Sequence, residues 1–329
     1  MASPGQSTLF TTFTELVSTT FRNHKKEIAD NVSNHNALFR RLTEKGRVRL
    51  EDGGLSIVCP VDYAENSTYT RYSGYDPLDI GASDVVSAAE FPWRQVAVNI
   101  AASGLEIRSN SGENRIINFL KAKIKNGQRS LSNGLSSDFY SAGSVSNQMN
   151  GLQALIADAG TGTVGGINST NFSFWQNTVQ SAAAPLQGGG GITPSATTIE
   201  SLMLPLYLRT TRGSDQTDLI VASENYFTFY ETSQTSLKRY APEDNGKGGM
   251  ISMKYKSADV FHDSSSSGIA TSHMYFVNTD FLEVVGHQDA WMEIMPELRS
   301  VNQDAIVIPI LTQANLTVSN RARQGVLKA

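Results

Sequence analysis

Apolar and polar positions between residues 46 and 107 follow a strand pattern. The run SIVCPVDYAENSTYTRY is rich in β-branched and aromatic residues, and WRQVAVNI sets Val96, Val98 and Ile100 on one face against Ala97 and Asn99 on the other. Together they predict a long β-hairpin in which WRQVAVNI is the returning strand. The stretch between them, residues 73–84 (SGYDPLDIGASD), contains the turn-formers Gly74, Pro77 and Gly81 and has no periodicity of its own. Such a unit offers little that could form its own core, and an isolated two-stranded hairpin is marginal in water. The pattern therefore predicts that it packs on another domain or another subunit.

Helical spacing appears on either side. Phe13, Val17, Phe21, Ile28, Val32, Phe39 and Leu42 form a narrow stripe interrupted by His24 and His35. Two readings fit it: an arm lying on a neighbour, or an ordinary amphipathic helix of the same domain. Asn110 followed by Glu113 is an N-cap pattern, and Ile116, Leu120, Ile124, Leu131, Leu135 and Phe139 then hold one face over some seven or eight turns. Against a mean of about three turns this predicts a structural spine over 109–140. Residues 143–177 and the glycine run 188–191 read as loops. From Thr197 the texture is α/β: a helix from Ile199 that must bend or tighten at Pro205, a short buried strand at 219–222, a helix over 226–237, and strands at 259–262, 274–278 and 305–310. The SSSSG run at 264–268 reads as a surface loop.

A length of 329 residues allows one large domain or two intertwined ones. With a net charge of -4 and a charged fraction of 18%, the chain lacks the concentrated basic face that a sequence-independent grip on nucleic acid requires; the nearest groups are Lys25 with Lys26 and Arg40 with Arg41. Cys59, the single cysteine, reads as a small buried hydrophobe, and a reducing compartment fits. Neither a signal-peptide pattern nor a run long enough for a membrane span is present, which predicts a soluble, cytoplasmically made protein. The sequons at Asn31, Asn66, Asn168, Asn171 and Asn315 are the number chance supplies in so Ser-, Thr- and Asn-rich a chain.

Candidate chemistry is thin. Gly160, Gly162 and Gly165 spell the dinucleotide fingerprint G-x-G-x-x-G, which needs a preceding strand, a following helix and an acidic residue about twenty positions later. INSTNFSFWQN follows instead, and no Asp or Glu occurs until Glu200, so a loop is the better reading. Of the five histidines, His24, His35, His262, His273 and His287, none lies in a zinc-type pattern, and His262 beside Asp263 has no accompanying nucleophile elbow. The expectation is a chain with no catalytic residue, no metal and no cofactor.

Several segments in order resemble the major capsid proteins of tailed bacteriophages with the Hong Kong 97 fold. They are YAENSTYTRYSGYDPLDI, AAEFPWRQVAVNIAASGLE, NSGENRIINFLKAKIKN, GLQALIADAGTGTVGGINSTNFSFWQN, MYFVNTDFLEVVGH and VNQDAIVIPILTQANLTVSNRARQG, and they cover nearly the whole chain. The resemblance implies an α+β architecture: an N-terminal arm (1–45), an extended E-loop hairpin (46–107), a P-domain spine helix (108–144), an α/β A-domain (145–298) and a P-domain return strand with C-terminal tail (299–329). It implies a non-enzymatic subunit that self-assembles as hexamers and pentamers into an icosahedral head around double-stranded DNA, in the cytoplasm of a bacterial host. The implied partners are a portal protein, a separate scaffolding protein, a decoration protein and the packaged DNA, which would be contacted without specificity; no membrane is involved. Inter-subunit contacts are expected from Tyr63, Tyr69, Arg71, Tyr72, Tyr75 and Trp93 of the hairpin and from Phe13, Val17 and Phe21 of the arm. Some members join an E-loop lysine covalently to an asparagine of a neighbour. Here every basic residue between Lys45 and Lys121 is an arginine, whose guanidinium cannot act as that nucleophile, so a non-covalent shell is expected. Two other readings stand beside this one: an encapsulin-like bacterial compartment, and a nucleotide-binding enzyme using the loop 160–166.

Overall fold

Asn36 opens the first element of the computed structural model, which describes residues 36–78, 80–81, 83–109, 113–234, 252–263, 268–299 and 302–329, the side chains at 37, 109, 113–122 and 252 excepted. In chain order come α1 (Ala37–Glu44), β1 (Val48–Glu51), β2 (Ser56–Asp62), β3 (Val86–Pro92), β4 (Arg94–Ser103), α2 (Gly104–Ser109) and α3 (Glu113–Asp138). A loop-rich passage holds α4 (Leu152–Leu155), β5 (Thr163–Val164), β6 (Ile167–Asn168) and β7 (Thr178–Ser181). Then follow α5 (Ile199–Thr210), β8 (Leu219–Ala222), α6 (Glu224–Ser233), β9 (Ser252–Tyr255), β10 (Ala258–His262) and β11 (His273–Val277). The chain closes with β12 (Leu282–His287), β13 (Glu293–Ile294), β14 (Leu298–Arg299), β15 (Ala305–Val318) and β16 (Gly325–Lys328).

Two six-stranded sheets organise these elements. In the first, β15 is the axis: residues 305–314 pair antiparallel with β4, and the opposite edge takes β14, β13 and β12 in turn, with β1 parallel on β12. Fourteen residues rich in Ile, Val and Leu suit a strand with neighbours on both edges. The second sheet runs β7-β16-β11-β8-β10-β9, with the wholly buried LIVA of β8 near its centre. One hydrophobic core joins the first sheet, α3, α1 and the near face of the second sheet; another fills the space between that sheet's far face and helices α5 and α6.

The 26-residue α3 confirms the spine, and Ile124, Leu131, Leu135 and Phe139 are all buried, as the stripe requires. At Gly127 the helix meets β4 so closely that a Cβ would stand 2.8 Å from Ile100 Cγ1. Asn110 and the side chains of Ile116 and Leu120 lie outside the described residues. Leu131→Asp should cost at least about 4 kcal/mol, because a buried carboxylate replaces a packed side chain, and should abolish soluble expression. Lys125→Asp, on the exposed side of the same helix, should stay within about 0.5 kcal/mol. Equal soluble yield and melting temperature for the two would show the helix phase to be wrong.

Several expectations are corrected. The strand that returns beside β2 is β3, not WRQVAVNI: Ser56 to Asp62 pair with Pro92 to Val86, while WRQVAVNI forms β4 and leaves for β15. The outgoing strand stops at Asp62, and residues 63–72 are irregular rather than β-paired out to Tyr72. The hairpin strands also possess a core within the subunit, since Ile57, Cys59, Val61, Ala89 and Phe91 are buried in the main cluster. Residues 37–44 are no arm on a neighbour. The α1 helix is capped by Asn36, whose Oδ1 accepts from Phe39 N at 2.8 Å while its Nδ2 donates to Ser136 O, and Leu38, Phe39 and Leu42 are buried, Phe39 against Phe139 at 5.1 Å. The tail does not stay with the first sheet: β16 lies between β7 and β11 in the second. The α5 helix passes through Pro205, and Ser201 O, which the proline ring deprives of its usual donor, accepts from Gln187 Nε2 at 3.4 Å. The helix after β8 ends at Ser233, short of residue 237.

Candidate assembly surface

Beyond β2 and β3 the chain makes a loop of 23 residues, 63–85, closed at its root by Tyr63 N donating to Val85 O at 3.0 Å. Loops this long without secondary structure are uncommon in compact domains and are usually functional. Local polar bonds hold its shape: Asn66 Oδ1 accepts from Thr68 N, Ser83 Oγ from Ser67 N, and Asp76 Oδ2 from Ser73 N at 2.9 Å around the turn at Gly74. Five of its aromatic and aliphatic side chains stand largely in solvent. Tyr75 is fully exposed, Ile80 is 94% and Tyr69 81% exposed, and Tyr72 and Leu78 exceed half. Large apolar side chains exposed together on one loop mark it as a candidate interaction surface. Arg71 is likewise exposed.

The other two hairpin residues singled out from the sequence are engaged at home. Tyr63 packs on Phe174 with ring centroids 5.7 Å apart, and Asp84 pushes its phenol upward by charge after the larger effect of desolvation. The Trp93 indole N–H donates to Gly54 O at 3.0 Å, and its ring meets His287 edge-on. Phe13, Val17 and Phe21 lie outside the described residues.

A cleft of about 600 Å³ opens at the loop's root. Asp62 and Glu65 of the hairpin line it together with Arg212, Arg323, Phe174 and Phe281 from the rest of the subunit. Its walls come from five separated parts of the chain, gathered because β15 ends beside β12 and the following turn crosses to the second sheet. No spacing in the sequence announces it.

The glycine fingerprint has another use. Gly165 and Gly166, at φ of 59° and 76°, are the two-residue turn joining β5 to β6, where positive φ at both centres is what the turn demands. Gly165 O accepts from Glu90 N at 3.0 Å, and a Cβ on Gly165 would stand 2.9 Å from Ala89 Cβ, so the turn is seated on β3. A phosphate-cradling helix does not follow it. His262 contacts Phe227, and Asp263 accepts from Tyr140 OH at 2.7 Å, so those neighbours are turned to packing and to a buried hydrogen bond. Burial and the Asp263 charge hold the Tyr140 phenol well above its ordinary range. Among the described residues no group of three metal-ligating side chains converges, and no helix is long and apolar enough to cross a membrane. Cys59 is buried as expected, and burial raises its thiol above the ordinary value.

No protein-family model and no curated protein matches the chain. Solved structures do. The cyanophage A-1(L) capsid asymmetric unit superposes with a TM-score of 0.63 at 16% identity, covering 86% of this chain and 90% of that one. A structure from Mycobacterium phage Bobi gives 0.52 at 9%, over 87% and 89%. The virus-like particle from Pyrococcus furiosus gives 0.50 at 11%, over 92% and 96%. At such identities the likeness is one of fold, and its breadth leaves little of the chain outside it. With its hairpin, spine helix and paired sheets arranged in this way, the chain has the Hong Kong 97 fold of tailed-phage major capsid proteins.

Proposed function

We propose that this chain is the major capsid protein of a tailed phage, a non-enzymatic subunit that assembles into the icosahedral head around double-stranded DNA. The observation that carries the reading is the likeness to the cyanophage capsid subunit over nearly nine tenths of both chains. The uncovered loop 63–85 supports it, because a shell subunit must present surface that only its neighbours bury. In this reading the hairpin from β2 to β3 is the E-loop, α3 with the first sheet is the P-domain, and the second sheet with α5 and α6 is the A-domain. Tyr69, Arg71, Tyr72 and Tyr75 are the inter-subunit contacts of the loop, and Phe13, Val17 and Phe21 those of the arm. Portal, scaffolding and decoration proteins are its further partners, and DNA is confined without specific contacts. Light scattering and negative-stain microscopy of purified protein should give rings or closed shells; a compact particle of subunit mass at every concentration would sink the proposal.

An encapsulin-like compartment, which shares a related fold, is the second reading. Nuclease-protected DNA inside native particles supports the phage head, and a co-purifying enclosed enzyme supports the compartment.

The shell is held without covalent links. Residues 56–92 contain no lysine, and Lys45, at the root of the hairpin region, is held by Asp218 Oδ2 at 2.5 Å. Mature particles boiled in detergent should run as one band near 35.7 kDa. A ladder resistant to boiling and reductant would contradict this.

A further inference from the structure

We propose that His273 and Asp158 form a proton-operated clamp: with its imidazole charged, His273 at the start of β11 holds the turn 157–160 against the second sheet, and with the imidazole neutral it releases that turn. The inference goes beyond the shell reading and does not depend on it.

One jaw is fixed and the other is a turn. The backbone of His273 is bound to the sheet's edge loop: its N–H donates to Ser223 Oγ at 3.2 Å, and its carbonyl accepts from Ser223 N at 2.9 Å. Its side chain, 15% exposed, stacks on Tyr275 with ring centroids 6.0 Å apart. Asp158 is the second residue of a turn closed by Gly160 N donating to Ala157 O at 2.9 Å. Asn177 Nδ2 holds the same Ala157 carbonyl at 2.9 Å, and Gln153 Nε2 reaches Asp158 Oδ2 at 3.4 Å. Next along the chain come β5 and β6, whose turn at Gly165 seats β3, so the clamp acts on the passage that supports the hairpin.

The oxygens around the ring decide where its protons sit. Nδ1 lies 2.8 Å from Thr271 O, a carbonyl that can only accept, so Nδ1 carries a proton. Nε2 lies 3.1 Å from Asp158 Oδ2, at ion-pair distance but outside hydrogen-bond geometry. A neutral ring therefore turns the Nε2 lone pair toward a carboxylate, and a second proton converts that repulsion into attraction. The tie is one of charge and vanishes with it. Asp158 Oδ1 is buried without a hydrogen-bond partner, so little else offsets the carboxylate. Other titratable groups lie around the pair. Tyr275, beside His273 on the same face of β11, is kept protonated by burial and then by the Asp158 charge. Beyond it Tyr140, after α3, donates to Asp263, after β10. Lys328 of β16 stands opposite His273 in the register and its charge opposes the imidazolium, while Glu224, which opens α6 after Ser223, favours it. Among the described residues only Asp158 is within ion-pair distance of the ring. The tie is present at the acid end of the histidine range of about pH 5–8 and is lost as pH rises through it.

Amide hydrogen exchange of the full chain, read by mass spectrometry at about pH 5.5 and about pH 8.0 and corrected for the intrinsic pH dependence of exchange, tests the clamp. The Gly160 amide, which closes the turn, should be about three- to fivefold better protected at the acid pH, the weight of a partly exposed charge pair. That difference should vanish in Asp158→Asn and in His273→Gln, and the double variant should match either single one. Amides of α5, packed on the far face of the second sheet, should show no such difference. Flat protection of the wild-type turn between the two pH values would overturn the clamp without recourse to any variant. An undiminished difference in Asp158→Asn, or an equal one in α5, would overturn it too, by assigning the effect to another group or to global stability. Each of these results leaves the shell reading, which microscopy tests, as it stands.

Discussion

Shells should disappear, and the folded subunit remain, when residues 65–83 are replaced by a short Gly/Ser turn. The loop carries the exposed tyrosines, and none of its described side chains belongs to either core, so the subunit should lose contacts only with its neighbours. Shortening a closed loop of this length changes its closure entropy by only about 1 kcal/mol, in the stabilising direction. The boundaries matter. A wider excision, 63–90, would delete most of β3 with Ala89 and leave Ile57, Cys59 and Val61 without the strand that covers them. At roughly 1.5–3 kcal/mol for each large apolar side chain returned to water, that variant should fail to fold rather than fail to assemble. Thermal melting should place the 65–83 variant within about 3 °C of the parent, and microscopy should find no closed particles. Normal shells from it would remove the loop from assembly altogether.

The spine was legible because its signal is long and local: Ile124, Leu131, Leu135 and Phe139 are spaced by the helix itself, and burial follows from that spacing alone. Strand pairing is not local. WRQVAVNI alternates strongly while VSAAEFP, with Ala88, Ala89 and Glu90, hardly does, so the pattern points to WRQVAVNI as the partner of β2, although both are strands. The pattern states which residues extend but not beside what. For α1 the ambiguity was of another kind. Leu38, Phe39 and Leu42 share a period with Phe13 and Val17, and periodicity is the same whether the groove receiving a helix belongs to its own subunit or the next; Asn36, which caps α1 and also reaches Ser136, decides it. The exposed tyrosines could be named from the sequence because a Gly- and Pro-punctuated tip has no core to hide them. The cleft could not, since Arg212, Phe281 and Arg323 become neighbours only through the crossing of the two sheets.

Replacing Arg321 by methionine should destabilise the subunit by about 3 kcal/mol or more, even though it removes a buried charge. The side chain is completely buried at the turn between β15 and β16. Its Nε donates to Leu155 O at 2.6 Å, and Nη1 to Ser169 Oγ at 3.1 Å and Trp175 O at 3.3 Å. These are three points of the loop-rich passage between α3 and β7, which has little regular structure of its own to fix it. Two effects oppose each other. Burial lowers the guanidinium pKa to about 10, a sign of desolvation cost, yet at neutral pH the group is still charged and methionine would relieve that cost. Against this, methionine leaves Leu155 O and Trp175 O buried without donors, and each orphaned acceptor costs roughly 1–3 kcal/mol. Two carbonyls and the hydroxyl together outweigh the relief, because one planar fork serves all three and no other donor is at hand. Arg321→Lys should fall between, as a single ammonium keeps the charge but cannot span the set. Melting of the isolated subunit should drop by roughly 4–6 °C for methionine and by less for lysine. A methionine variant as stable as the parent would mean that desolvation dominates and that the loops are held by packing around Trp175 instead.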